Sequence, residues 1–435
     1  MHRVWTLWAL SAVLLSVCGT GCGRSDLEGK TTLVMSYGKM SPEHAETLSQ
    51  LVQQFEKNNP GIAVVLHPLA PVTDQQRHFY LQSFTARSSF IDVFELDVIW
   101  TAELAAAGVL EPVGDNIGKP VLTDLHPASL AAATYSGTLV AIPAYPAVSM
   151  LYYRTDLLEK YKLQPPTSLE EMAEQAIRIR GDEKIRGFVW QADMYEGLVC
   201  NFLEYYRGMG GVVQITEKGV ALDADSAVAA LEFMKKLVAD GASSEDVFGY
   251  RELESREVFL SGNAVFTRDW DDLAAYVADS EVNGKVGFMP LPPLAGNPTA
   301  PTLGGWHYGV NHASLYKAEA WKLVSFLSLP ENQQKLARKL GRFPARNSVA
   351  IPAFEGVQGT GHRRELLSAG VPRPASPYYH QLSMILQEHL GSALTGLETP
   401  VNAVKAANEK LKEIKLPETA GPDFPKTLLN PSTVY

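Results

Sequence analysis

The sequence predicts an α/β chain folded as two lobes, and three observations carry that expectation. Strands alternate with helices along most of the chain, the pattern of a parallel or mixed sheet. The chain has 435 residues, well beyond one average domain. Residues 142–161, IPAYPAVSMLYYRTDLLEKY, compress a great deal into a short span. An apolar strand runs into Pro143 and Tyr145, a second short strand follows from Ser149 to Tyr153, and Arg154-Thr155-Asp156 opens a helix. So tight a junction, with aromatic rings beside it, is expected where the chain crosses between lobes, and small ligands commonly bind at such crossings.

The chain begins with Met1-His2-Arg3, a short basic stretch, followed by an almost wholly apolar run from Val4 to Val17. That is an export signal, too short and wrongly flanked for a spanning helix. Cys22, preceded by the small Gly21, fits the lipidated first residue of a bacterial lipoprotein, although Gly19 stands where leucine is usual. Ordinary secretory cleavage nearby is the alternative. Residues 1–22 are therefore read as a lipoprotein-type signal and 23–30 as a polar tether. Cys200 is then the one cysteine of the body apart from Cys22, expected as a small buried side chain. Without a disulfide the exported fold must rest on a large core, which about 400 residues can bury.

The body opens with a strand, Thr32 to Tyr37. Ser41-Pro42-Glu43 is a helix start, and Leu48, Leu51, Val52 and Phe55 follow at helical spacing until Asn59-Pro60-Gly61. A strand (62–66), a helix (75–86) and a strand (93–99) come next. Beyond the crossing, helices are expected at 168–179, 196–206, 224–240 and 252–260, with strands at 187–190, 263–267, 284–290 and 303–310. Helices dominate afterwards, at 318–327, 331–340, 378–390 and 401–411. The last twenty residues read as a loosely packed tail.

Composition and motifs narrow the chemistry. A net charge of −10, with no basic run, argues against nucleic acid as a partner. There is no nucleophile elbow, no phosphate-cradling loop and no H-E-x-x-H, and the ten histidines lack metal-ligand spacing. His307 and His312 are explained by a strand end and the turn after it. Asp269, Asp271 and Asp272 form the one dense carboxylate group, and acidic residues at a helix start account for the last two. No cofactor, metal or catalytic residue is expected.

Binding signals are stronger. Sugars are held by flat aromatic faces together with charged or amide groups. Trp100, Tyr145, Trp270 and Trp306 all fall at strand ends or loops, with Asp97 beside them. Trp306 follows Gly304-Gly305, where missing side chains let a ligand approach the backbone. Arg373 lies between Pro372 and Pro374, which stiffen its backbone.

Seven segments carry a family resemblance: ELDVIW (95–100), LYYRTDLLEKY (151–161), GFVWQ (187–191), YEGLVC (195–200), RDW (268–270), LGGWH (303–307) and VPRP (371–374). The chain resembles the sugar-binding subunits of ABC transporters, in particular the trehalose/maltose-binding proteins. The resemblance implies the two-lobed periplasmic-binding-protein fold, with hinge crossovers and a ligand cleft between the lobes. It implies a first lobe of 31–141 and 284–326 and a second of 142–283 and 327–435. It further implies Asp97 as a hydroxyl acceptor, Tyr145 as a ring near the hinge, Trp270 and Trp306 as stacking platforms, the Gly305 backbone, and Arg373 as a donor.

The departures are informative. His44 stands where the family has an acidic residue, Gln76 where it has an arginine, Ala147 where it has a carboxylate or amide, and Asp272 where it has an aromatic. Missing hydroxyl partners discriminate strongly between ligands. The expected ligand is a disaccharide or small glycoside, glucosylglycerol among the candidates, that differs from trehalose at the end facing His44, Gln76 and Ala147. Asp272 is expected to supply a relocated acceptor. The implied protein is a monomeric, lipid-anchored, extracytoplasmic receptor that is not an enzyme and delivers its sugar to a permease with a separate ATPase. A secreted carbohydrate-active enzyme using the 269–272 cluster, and a receptor feeding a sensor, are the rivals.

Overall fold

The computed structural model describes residues 29–38, 41–70, 73–85, 88–216, 219–350, 357–358 and 363–414. The leader, Cys22, the tether apart from Gly29 and Lys30, and the C-terminal tail lie outside the described residues. Two hydrophobic cores define two lobes. One gathers Leu33, Leu48, Phe55, Phe94, Trp100, Tyr145, Trp306, Tyr308, Trp321 and Leu336. The other covers both faces of a second sheet, with Leu151, Phe188, Phe266 and Tyr379 on one face and Met150, Tyr152, Val286 and Phe343 on the other.

The first-lobe sheet runs in the order Ile62–Leu69, Thr31–Gly38, Val93–Asp97, Thr302–Val310, Ile142–Arg154. Its first three strands are parallel and the last two pair antiparallel. The helix Pro42–Asn58 begins where its sequence says it should, with the Ser41 hydroxyl accepting from the His44 amide at 3.2 Å and Pro42 in the first turn.

The crossing differs from the sequence expectation. Ile142–Arg154 is one continuous strand, not two short ones. Residues 142–148 pair with Thr302–Val310 in the first lobe, whereas 149–154 are flanked by Ala264–Trp270 and Val286–Met289 in the second. Pro143 and Pro146 both lie within this strand. They are tolerated because residues 142–148 have a neighbouring strand on one side only, and a proline whose nitrogen faces the open side costs no ladder bond.

Two expected lobe boundaries also move. Val286–Met289, placed with the first lobe, pairs with Leu151 to Arg154 in the second. The helix Pro330–Leu340, placed with the second lobe, buries Leu336 and Leu340 in the first-lobe core. In both cases the deciding factor is the partner surface, which strand and helix periodicity leaves open.

Candidate functional site

The site forms where the strand Thr302–Val310 meets the crossing strand. Trp306 stands opposite Asp97 on one side and Tyr145 on the other. The register then slips between Trp306 and His307, a bulge that leaves Ala144 unpaired. Gly305 has φ +121°, and a Cβ there would lie 2.4 Å from the Tyr145 carbonyl oxygen, so the position admits only glycine. At Gly304 a Cβ would come within 3.3 Å of the Trp270 ring and 3.4 Å of Arg373 Nη2. The absent side chain therefore lets two groups of the second lobe rest against first-lobe backbone.

Arg373 is fixed from both lobes. Its Nη1 donates to Glu196 Oε1 at 2.8 Å, and its Nη2 lies 3.4 Å from Asp97 Oδ1. Glu196, in the first turn of the helix Glu196–Gly208, also accepts from the Tyr379 and Ser383 hydroxyls. Arg373 Nε is buried with no hydrogen-bond partner among the described residues. Asp97 Oδ1 in addition caps the turn after its strand by accepting from the Ile99 amide at 3.1 Å.

Trp270 ends the strand Ala264–Trp270. The Arg268 guanidinium lies 4.5 Å from its ring centre, and its Nε1 donates to Glu252 at 3.3 Å. Arg268 is fully buried and forked onto the equally buried Glu204 through Nε and Nη2. The platform is thus oriented by a charged pair beneath it.

The structure brings Asp97, Tyr145, Trp270, Gly305, Trp306 and Arg373 to the junction of the lobes. Its walls touch where Gly304 meets Trp270 and Arg373, and a void of only about 10 Å³ lies beside Val98, Ser129, Pro143, Tyr145 and Trp306. A wider crevice of about 680 Å³ opens between the lobes beside His44, Asp272 and Arg342.

Several expected roles change. The His44 ring is buried, with Nδ1 3.0 Å from the Gly38 carbonyl and Nε2 3.2 Å from Glu95, so it faces first-lobe groups. Gln76 is buried against Gly38 and donates to the Ala70 carbonyl at 2.7 Å. Tyr145 spends its hydroxyl on Glu95 at 2.8 Å, leaving only the ring for contact. Trp100 supports Trp306 edge-on at 6.1 Å from within the core. Asp272 is not a free acceptor. Arg256 donates to both of its oxygens at 2.6 and 3.1 Å, and Arg342 Nη2 lies 2.9 Å away. Burial opposes its ionisation, yet Arg256 and Arg342 outweigh burial and hold its carboxyl below the usual range.

Glu95, Glu196, Glu204, Arg256 and Arg342 are the residues that sequence reasoning missed. The first three fall within strand or helix segments that are buried on nearly every side. A carboxylate in such a segment signals a buried partner, and that signal was available.

His307, next to Trp306, carries a pH consequence. Its Nδ1 lies 2.9 Å from the Thr101 hydroxyl, and burial lowers its pKa from 6.5 to about 3. The unfolded chain takes up a proton here below about pH 6.5 while the folded protein does not, so this residue erodes stability as pH falls from 6.5 towards 3. The slope reaches about 1.4 kcal/mol per pH unit. Urea unfolding between pH 7 and 4 should show a shallower acid loss in His307→Gln than in the wild type; identical slopes would contradict the assignment.

Comparison with known proteins agrees with this geometry. The sequence profile of the bacterial extracellular solute-binding proteins matches residues 41–334. A probable ABC transporter-binding protein of Deinococcus radiodurans is 30% identical over 418 residues, covering 88% of this chain and 97% of its own length. The sn-glycerol-3-phosphate-binding periplasmic protein UgpB of Pectobacterium atrosepticum is 25% identical over 415 residues, covering 85% of this chain and 88% of its own. The structure of maltose-bound T. maritima MalE3 superposes with a TM-score of 0.80 at 33% identity, across 88% of this chain and 99% of that one. The chain therefore belongs to the bacterial extracellular solute-binding proteins, the solute-capturing components of ABC transporters.

Proposed function

We propose that the protein captures a disaccharide or small glycoside between its lobes and delivers it to an ABC permease served by a separate ATPase. The observation that carries this reading is the meeting of Trp270 and Arg373, from one lobe, with the Gly304–Trp306 backbone and ring of the other. Two indole faces, a planar donor and an acceptor in Asp97 are what a sugar ring with its hydroxyls requires. Lobe closure brings them together, and a ligand that favours the closed state drives that closure. Lipid attachment at Cys22, an extracytoplasmic location and a monomeric state complete the proposal.

Ligand identity follows from the altered end of the site. His44 faces first-lobe partners, Gln76 donates to the Ala70 carbonyl while its Oε1 is buried without a partner among the described residues, and Ala147 offers a methyl group opposite Gly304. An end so poor in hydroxyl partners supports a ligand other than trehalose. The enzyme reading is disfavoured by the state of its carboxylates. Asp269 and Asp272 share Arg256, and Asp271 accepts from the Val148 and Phe343 amides. A glycosidase needs two carboxylates free to face a glycosidic bond.

A melting-temperature screen over disaccharides, glucosylglycerol and related glycosides tests the proposal, because a ligand of the folded state must raise stability. At least one sugar should raise the melting temperature, and trehalose should not be the strongest. No response to any sugar refutes the reading, and release of reducing sugar would favour the enzyme.

A further inference from the structure

Arg342 lies where the narrow seam meets the open crevice. It follows the helix Pro330–Leu340, which belongs to the first lobe, and its guanidinium sits 5.9 Å from the centre of the Tyr145 ring. Its Nη2 is 2.9 Å from Asp272 Oδ2 and its Nη1 3.9 Å from Asp271 Oδ1, both on the second lobe. The ion pair therefore spans the lobes. On one side of it is the seam, where Trp306 stands opposite Tyr145 and Gly304 meets Trp270 and Arg373. On the other, the crevice of about 680 Å³ holds the half-exposed ring of Tyr276 and the carboxylates of Glu43 and Asp279. A volume of that order is typical of a small-molecule site, roughly 300–1,000 Å³.

We propose that Arg342 sets the length of glycoside the receptor accepts. Its bridge to Asp272 walls the seam off from the crevice, so a short ligand that parts Trp306 from Trp270 stays on the seam side of the bridge. A further sugar ring can reach the crevice only by passing over Tyr145, the face that Arg342 covers. The longer ligand must displace a guanidinium that is 13% exposed from a carboxylate that is 5% exposed, and both then lose a partner. Asp272 is the better insured of the two, because Arg256 still holds both its oxygens. With the guanidinium gone, the crevice becomes a second subsite: an aromatic face in Tyr276 and carboxylate acceptors for hydroxyls, the same chemistry as the seam.

This inference rests on the sugar reading, and the test separates the two. Calorimetric titrations would compare maltose with maltotriose and cellobiose with cellotriose, pairs that differ by one ring in two linkages. The wild type should prefer the disaccharide of whichever pair it binds by roughly tenfold or more. Arg342→Ala should shrink that preference by roughly tenfold, chiefly by tighter trisaccharide binding, whereas Arg342→Lys, which keeps a charge for Asp272, should retain most of it. Asp272→Asn, which leaves the arginine in place but cuts the bridge, should act in the same direction as the alanine variant. A wild type indifferent to length, or wild-type preference in both Arg342→Ala and Asp272→Asn, overturns the inference and leaves the sugar reading standing. A wild type that binds none of these four overturns the inference, and one that also gives no response to any glycoside of the melting screen overturns both.

Discussion

Trp306→Ala should abolish the sugar-dependent rise in melting temperature. Trp306 is positioned by three neighbours at once: Asp97 and Tyr145 in the adjoining strands, and the Trp100 edge behind it. A rigid aromatic at the centre of a buried contact is the kind of residue whose truncation costs about 2–4 kcal/mol of binding, roughly 30- to 1,000-fold in affinity. The same ring also belongs to the first-lobe core, so the unliganded variant should melt earlier as well. The two effects are separable by recording each variant with and without sugar. Trp306→Phe should recover part of the core and part of the response. A variant that melts lower yet responds to sugar like the wild type would place the ligand elsewhere.

Arg268→Met should cost about 3–5 kcal/mol of unfolding free energy, the usual consequence of leaving a buried charge without its partner. Arg268 and Glu204 are both fully buried and make two hydrogen bonds to each other. Among the described residues, Glu204 would retain the Thr302 amide at 3.3 Å. The double variant Arg268→Met/Glu204→Leu should regain most of the loss, because exchanging a whole pair for packed apolar groups is often neutral. Urea unfolding of the four proteins gives the coupling directly, and a single variant less than about 1 kcal/mol below the wild type would contradict it. Since the guanidinium also underlies the Trp270 ring, sugar affinity should fall further than stability alone explains, and the double variant should not restore it.

What could be read in the sequence is set by how local each signal is. Gly304-Gly305-Trp306, Arg268-Asp269-Trp270 and the prolines around Arg373 are local, and their rings and donor do gather at one junction. The Ser41-Pro42 helix start was equally local. The side of a helix on which a polar residue ends was not. His44 occupies the third helical position after Ser41, and only the Gly38 carbonyl and Glu95 turn it inward. Asp272 looked like an available acceptor because its arginine partners lie 16 residues earlier and far later in the chain. Pairing partners decided the lobe boundaries too. Nothing near Val286 says that it will lie beside Arg154, and only the tertiary fold supplies that neighbour.

The continuous strand Ile142–Arg154 has a thermodynamic consequence. Tyr145 is part of the first-lobe core, and Val148, Met150 and Leu151 are part of the second, all within seven residues of one extended backbone. The Thr302–Val310 strand repeats the arrangement, with Leu303 in one core and Trp306 in the other. Neither lobe can lose its share of these two strands without stripping the other. Two lobes that share strands in this way are bound to melt as one cooperative unit, so a calorimetric trace should contain one transition in which the heat-derived and van't Hoff enthalpies coincide.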